Sequence, residues 1–173
     1  MNRFTVAAAS IIAMGAFAIQ TADAQVARGG GRGPNGGAAA GQVHDRTGPN
    51  GGKIVGGRGV ATDGQGNAVV GSANCAKGAS AAACRAGSTT RTADGTVNHN
   101  SGFTSNGPNG GAVTSSGGLT KSADGTIDQS RSTTATGQNG TVAVDQSYNS
   151  STGSSRTVTC SDASGAVVAC PQH

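Results

Sequence analysis

The sequence predicts an all-β chain, an antiparallel meander of long polar strands with a hairpin turn about every fifteen residues. Three observations predict it. First, a turn dipeptide followed by a strand-starting pair recurs at Asp94-Gly95-Thr96-Val97, Gly110-Gly111-Ala112-Val113, Asp124-Gly125-Thr126-Ile127 and Asn139-Gly140-Thr141-Val142, and more loosely at Ser155-Arg156-Thr157-Val158. Asn-Gly and Asp-Gly reach the positive φ that tight hairpins need, and β-branched residues suit the pleated strand that follows. Second, Val97, Val113, Ile127, Val142 and Val158 form a ladder, and six residues after each come Phe103, Leu119, Thr133, Tyr148 and Ser164. An even offset keeps both members on one face of an extended strand. Third, Cys75 with Cys84 and Cys160 with Cys170 each enclose a short segment of small and turn-forming residues, as two hairpin staples would.

Taken in chain order, residues 1–24 read as a secretory signal: Arg3, an apolar stretch from Val6 to Ile19, and Ala22-Asp23-Ala24 as the cleavage site. The apolar run is shorter than the roughly 20 residues of a spanning helix, so no membrane span is expected once it is removed. Residues 25–50 are Gly- and Ala-rich and basic, and predict a disordered segment. The β-repeat domain is expected over 51–173. Within it Lys53 to Thr62 and Asn67 to Cys75 are strand candidates around the turn Asp63-Gly64-Gln65-Gly66, and a disulfide-closed loop takes the place of the next tight turn, near residue 80. Strands follow at Ala86 to Thr92, Thr126 to Thr136 and Thr141 to Thr152, and a terminal hairpin pairs Arg156 to Cys160 with Ala166 to Cys170. Three copies of Gly-Pro-Asn-Gly-Gly, beginning at Gly33, Gly48 and Gly107, are chain reversals by the same turn chemistry. A parallel β-solenoid that stacks Val97 on Val113 on Ile127 is the alternative architecture.

Composition bounds the function. Glu and Trp are absent, and beyond residue 24 Phe103 and Tyr148 are the only aromatic residues, so a conventional core is hard to build. A wholly disordered exported chain is the competing reading. No nucleophile elbow, zinc-protease motif or acid–base carboxylate pair occurs, and no enzyme activity is expected. His44, His99 and His173 make no ligand pattern with the cysteines, which predicts no metal and no cofactor. Asp94, Asp124 and Asp162 read as turn formers rather than calcium ligands.

Charge is uneven along the chain. Residues 25–91 hold eight Lys or Arg against two Asp, net +6, and residues 92–173 hold three against five, net −2. The basic N-terminal half is therefore expected to meet an anionic cell-surface polymer. Arg28 to Gly33 resembles an RGG segment, but with no aromatic neighbour it reads as a solvated linker, without specific nucleic-acid binding.

Gly64-Gln65-Gly66-Asn67-Ala68 and the stretch from Gln138-Asn139-Gly140 to Gln146 resemble curli-type bacterial amyloid subunits, which are also signal-bearing, Gly-, Asn-, Gln- and Ser-rich strand repeats. The period here is shorter, and those subunits lack disulfides. The resemblance implies self-association through strand edges. The function expected is thus an exported structural or surface-interaction protein, secreted or periplasmic. A secreted β-module that binds a glycan or other extracellular ligand stands beside it as the alternative.

Overall fold

The computed structural model describes residues 25–33, 35–48 and 50–170, so the signal reading of residues 1–24 and His173 lie outside the described residues. Strands β1 (Gln25–Arg32), β2 (Ala38–Thr47), β3 (Lys53–Thr62), β4 (Ala68–Lys77), β5 (Ala82–Arg91) and β6 (Val97–Asn106) are followed by β7 (Ala112–Lys121), β8 (Ile127–Gly137), β9 (Gly140–Asn149), β10 (Gly153–Ser161) and β11 (Val167–Val168). Their order in the sheet is their order in sequence, and every neighbouring pair is antiparallel. This is the meander, in one open sheet of eleven strands. Antiparallel order also removes the solenoid stacking: Val97 opposes Lys121 at one end of the sheet, and Val113 opposes Ala135 at the other.

One turn geometry makes half of the ten reversals. At Thr92–Thr96 the Thr92 N–H donates to the Thr96 carbonyl at 2.9 Å and the Gly95 N–H donates to the Thr92 carbonyl at 2.9 Å. Gly95 sits at φ 91°, the left-handed position that closes a three-residue loop with a bulge. The same pair of bonds recurs at Gly33–Gly37, Gly48–Gly52, Ser122–Thr126 and Asp162–Ala166. Gly-Pro-Asn-Gly-Gly and Thr-Ala-Asp-Gly-Thr are therefore two spellings of one turn. Repeating it at nearly constant spacing makes strands of nearly constant length.

Two expectations change. Residues 25–50, expected to be disordered, hold β1 and β2, and β1 pairs with β2 along its whole length, from Gln25 opposite Asp45 to Arg32 opposite Ala38. Ladder hydrogen bonds use backbone groups, so a Gly- and Ala-rich strand supplies them as well as any other once its turn is set. The reversal near residue 80 also keeps a tight turn: the Gly78 N–H donates to the Ala81 carbonyl at 2.8 Å, with Ala79 and Ser80 at the tip. Cys75 faces Cys84 three rungs inside it, with a Cα–Cα distance of 4.0 Å, so the disulfide reinforces a turn rather than replacing one. Cys160–Cys170 closes the terminal hairpin, where β11 pairs only Val167 and Val168.

Among the described residues, nothing forms a second layer on the sheet. Cys160, 5% exposed, is the one buried apolar side chain among the described residues, and none is fully buried. Each strand touches only its neighbours in sequence. Backbone ladders, cross-strand side-chain pairs and two cystines hold the molecule, an energetic arrangement closer to a linear repeat array than to a globular core.

Candidate functional site: an arginine face

Strand pairing decides which side chains share a face, because residues directly opposite each other point the same way and alternate residues along a strand point oppositely. Tracing partners across the sheet from Arg28 gives one central row: Arg28, Gln42, Arg58, Ser72, Gly87, Ser101, Gly117, Arg131, Gln146 and Arg156. The row spans nine interstrand gaps, about 43 Å at ordinary strand spacing. No apolar side chain interrupts it.

Rows to either side on this face carry the other arginines. Arg85 lies one row over, between Asn74 and Phe103. Arg46 opposes Ile54, Arg32 opposes Ala38, and Arg91 opposes Val97. All eight arginines of the described residues, Arg28, Arg32, Arg46, Arg58, Arg85, Arg91, Arg131 and Arg156, therefore share one face, together with Lys121. No strand carboxylate lies on it. Asp45, Asp128 and Asp145 belong to the opposite face, with Lys53 and Lys77. Nine cations and no carboxylate give the first face +9, and two cations against three carboxylates give the second −1.

The faces differ in size as well as charge. Val60, Val70, Phe103, Leu119, Ile127, Val144, Tyr148 and Val158 lie on the arginine face. On the other, one row reads Gly29, Gly41, Gly59, Gly71, Ser88, Asn100, Gly118, Ser130, Ser147 and Ser155, and is nearly bare. The single ion pair among the described residues, Lys53 with Asp45 at 3.1 Å, is on this second face. No arginine is thus neutralised by a carboxylate within the described chain.

Remaining carboxylates sit at turns, where they serve the backbone. The Asn67 side-chain amide and the Gln65 N–H hold the Asp63 carboxyl below its usual value. The Thr92 hydroxyl, 2.6 Å away, does the same for Asp94, the Thr126 N–H at 2.8 Å for Asp124, and the Ser164 hydroxyl at 2.6 Å for Asp162. Asp63, Asp94 and Asp124 end alternate hairpins along one rim, and Asn67 ties two of those turns by accepting the Ala93 N–H at 2.8 Å.

Within the arginine face the central row dips. Ser72, Gly87 and Ser101 form a floor of small residues, bounded by Asn74, Arg85 and Phe103 on one side and by Arg131 at one end. The depression is open to solvent and has a volume of about 530 Å³. A second hollow, about 550 Å³, lies on the opposite face among Asn98, Asn100, Thr120, Asp128 and Asn149; it is polar and carries no arginine. There the Thr120 hydroxyl donates to Asn98 Oδ1 at 2.8 Å, and the Asn149 amide donates to Asp128.

Where the sequence predicted charge by half-chain, the structure sorts it by face. Arg131 and Arg156, from the half of net charge −2, complete the row that Arg28 and Arg58 begin. A signal for this was available: Ile54 and Arg58, Ile127 and Arg131, Val158 and Arg156 are all separated by even offsets. His44 and His99 stand on the same face, and His99 Nδ1 lies 2.8 Å from the Thr89 hydroxyl in a cross-strand pair. The predicted cysteines lie apart from the depression as two separate staples. Comparison with protein-family models, with curated proteins and with solved structures found no match to this chain, so its likeness to others contributes nothing to the reading of the face.

Proposed function

We propose that the protein is an exported, non-catalytic surface-interaction module that holds an anionic extracellular polymer against its arginine face. The observation that carries this is the segregation itself: eight arginines and one lysine on one face, with every strand carboxylate on the other. Such a surface creates a one-sided positive field that attracts polyanions and repels cations. Guanidinium groups also fork onto carboxylate, sulfate or phosphate oxygens, which a lysine surface does less well. Two disulfides fit an oxidising compartment, and the signal-like segment at residues 1–24 supports export to the periplasm or beyond.

The test is binding of the purified, oxidised protein to polygalacturonate, heparin and polyphosphate across a salt series. Affinity is expected to fall steeply with salt, since exposed charges are screened beyond about 8 Å at physiological ionic strength. Arg131→Ser with Arg156→Ser should weaken binding as much as Arg28→Ser with Arg58→Ser, whereas Lys53→Ser with Lys77→Ser should leave it unchanged. Equal losses from the lysine pair, or no loss from Arg131 and Arg156, would refute the reading.

Self-association is favoured by a separate observation. Among the described residues, the outer edge of β1 has no strand partner along Gln25–Arg32, and β11 covers β10 only at Cys160 and Ser161, leaving Gly153–Thr159 open. A second copy whose β1 continued the rows past β10 would set Arg28 beside Arg156. Like charges directly opposite oppose such a junction until a polyanion or salt screens them. Light scattering should therefore show longer assemblies with polyanion than without, and growth that is fastest at low salt without polymer would contradict this.

A further inference from the structure

Resting on the arginine-face reading, we propose that the central depression between Arg85, Phe103 and Arg131 is a binding site for a short run of uronic acid residues of an acidic polysaccharide, one ring of it against Phe103. Three features of the site point to that chemistry. The first is charge with direction. Arg85 and Arg131 stand three strands and one row apart, roughly 16 Å across the sheet, and bracket a floor that carries no charge of its own. Two forks at that separation suit carboxylates spaced along an extended chain better than a single compact anion.

The second feature is the ring. Phe103 is the only phenylalanine among the described residues, it is 39% exposed, and it lies directly opposite Arg85. An aromatic face beside a guanidinium offers one apolar and one cationic surface, matching a sugar ring that has C–H bonds on one face and a carboxylate at its edge. Stacked nucleobases would call for a succession of aromatic platforms, and only one stands here.

The third is the floor. Gly87 lies directly opposite Ser72 on one side and Ser101 on the other, so two hydroxyls flank a position without a side chain. The Asn74 amide adds donors and an acceptor at the margin. Sugar hydroxyls find partners in such a floor, and a lipid tail does not. The volume of about 530 Å³ falls within the range of roughly 300–1,000 Å³ typical of small-ligand sites, while the open top lets a polymer pass through. The central row continues beyond it to Arg58 on one side and Arg156 on the other, so adjoining sugars of one chain meet further arginines.

Calorimetric titration with hexagalacturonate, a neutral gluco-oligosaccharide of equal length, polyphosphate of matched charge and a single-stranded DNA oligomer tests this. Wild type should bind the uronate oligomer and not the neutral one. Phe103→Ala should weaken uronate binding about tenfold, a loss of about 1.4 kcal/mol, and leave polyphosphate binding within about twofold. Ser101→Val, which raises the floor while improving strand propensity, should do the same without disturbing the fold. Arg28→Ser, on the same face but outside the depression, should weaken both ligands alike. If Phe103→Ala and Arg28→Ser act equally on every polyanion, the arginine face stands and the site falls. DNA binding that is more sensitive to Phe103→Ala than uronate binding would overturn the sugar assignment. No binding of wild type to any polyanion would overturn the arginine-face reading with it.

Discussion

The two cystines look equivalent in sequence but should behave differently on reduction. Their sequence separations are 9 and 10, and the chain-entropy relation gives each about 2.6 kcal/mol. Their positions in the sheet break the tie. Cys75–Cys84 joins β4 to β5, each of which also pairs with a second strand along its whole length. Because each strand contacts only its sequence neighbours, the β4–β5 ladder, with the Asn67–Ala93 turn bond at its end, is what joins β1–β4 to β5–β11 among the described residues. Cys160–Cys170 holds a strand that contributes two register pairs at the end of the array. Replacing Cys75 and Cys84 by Ala should therefore lower global stability by about 2–3 kcal/mol, measured by denaturant unfolding followed by circular dichroism. Replacing Cys160 and Cys170 by Ala should abolish hydrogen-exchange protection of β11 and of its partners on β10, with less than about half that loss globally. Equal global losses for the two pairs, or persistent protection of β11 without its cystine, would refute the nearest-neighbour account of how this sheet is held.

Three further outcomes follow from particular residues. Gly95→Ala forces an L-residue to φ 91° and should destabilise the protein by about 1–2 kcal/mol in the same unfolding assay, whereas Gly102→Ala, on an open strand position, should cost far less. The carboxyls of Asp63, Asp94, Asp124 and Asp162 titrate below their unfolded value in the folded protein, so their contribution is present above about pH 4 and is lost as pH falls through the folded values. The denaturation midpoint should accordingly drop between pH 5 and pH 2, and Asp94→Asn should flatten that drop; a midpoint that rises on acidification contradicts the turn assignment. Lys121→Glu places a carboxylate on the arginine face and should weaken polyanion binding, whereas Lys77→Glu on the opposite face should leave it within about twofold at physiological salt.

Much of the fold was legible because the turns carry it. A glycine at positive φ, preceded by Pro-Asn or Ala-Asp, announces half of the reversals locally (Gly36, Gly51, Gly95, Gly110 and Gly125), and strand length is then largely what lies between reversals. The parity of Ile127, Gln129, Arg131, Thr133 and Ala135 was legible for the same reason, since alternation is a property of an extended chain. Residues 25–50 were harder to read. Judged by hydrophobic content they resemble a linker, but a single-layer sheet asks for little hydrophobic content anywhere, and their turns obey the same rule as the rest. The reversal at Ala79-Ser80 lacks the Asn-Gly or Asp-Gly signature, and the cysteines flanking it are as compatible with a closed loop as with a tight turn. The arginine face was hidden for a different reason. Counting charge along the chain averages over both faces, and Arg131 and Arg156 vanish among nearby aspartates until strand pairing separates the two sides.

The most direct test of the central claim is residue-resolved covalent footprinting of the oxidised protein with and without polygalacturonate, using phenylglyoxal for arginine and acetylation for lysine. Arg28, Arg58, Arg131 and Arg156 should be shielded together, across both halves of the chain, while Lys53 and Lys77 react as before. Shielding confined to the arginines before residue 92, or equal shielding of Lys53 and Lys77, would contradict a sheet whose two faces divide its charge.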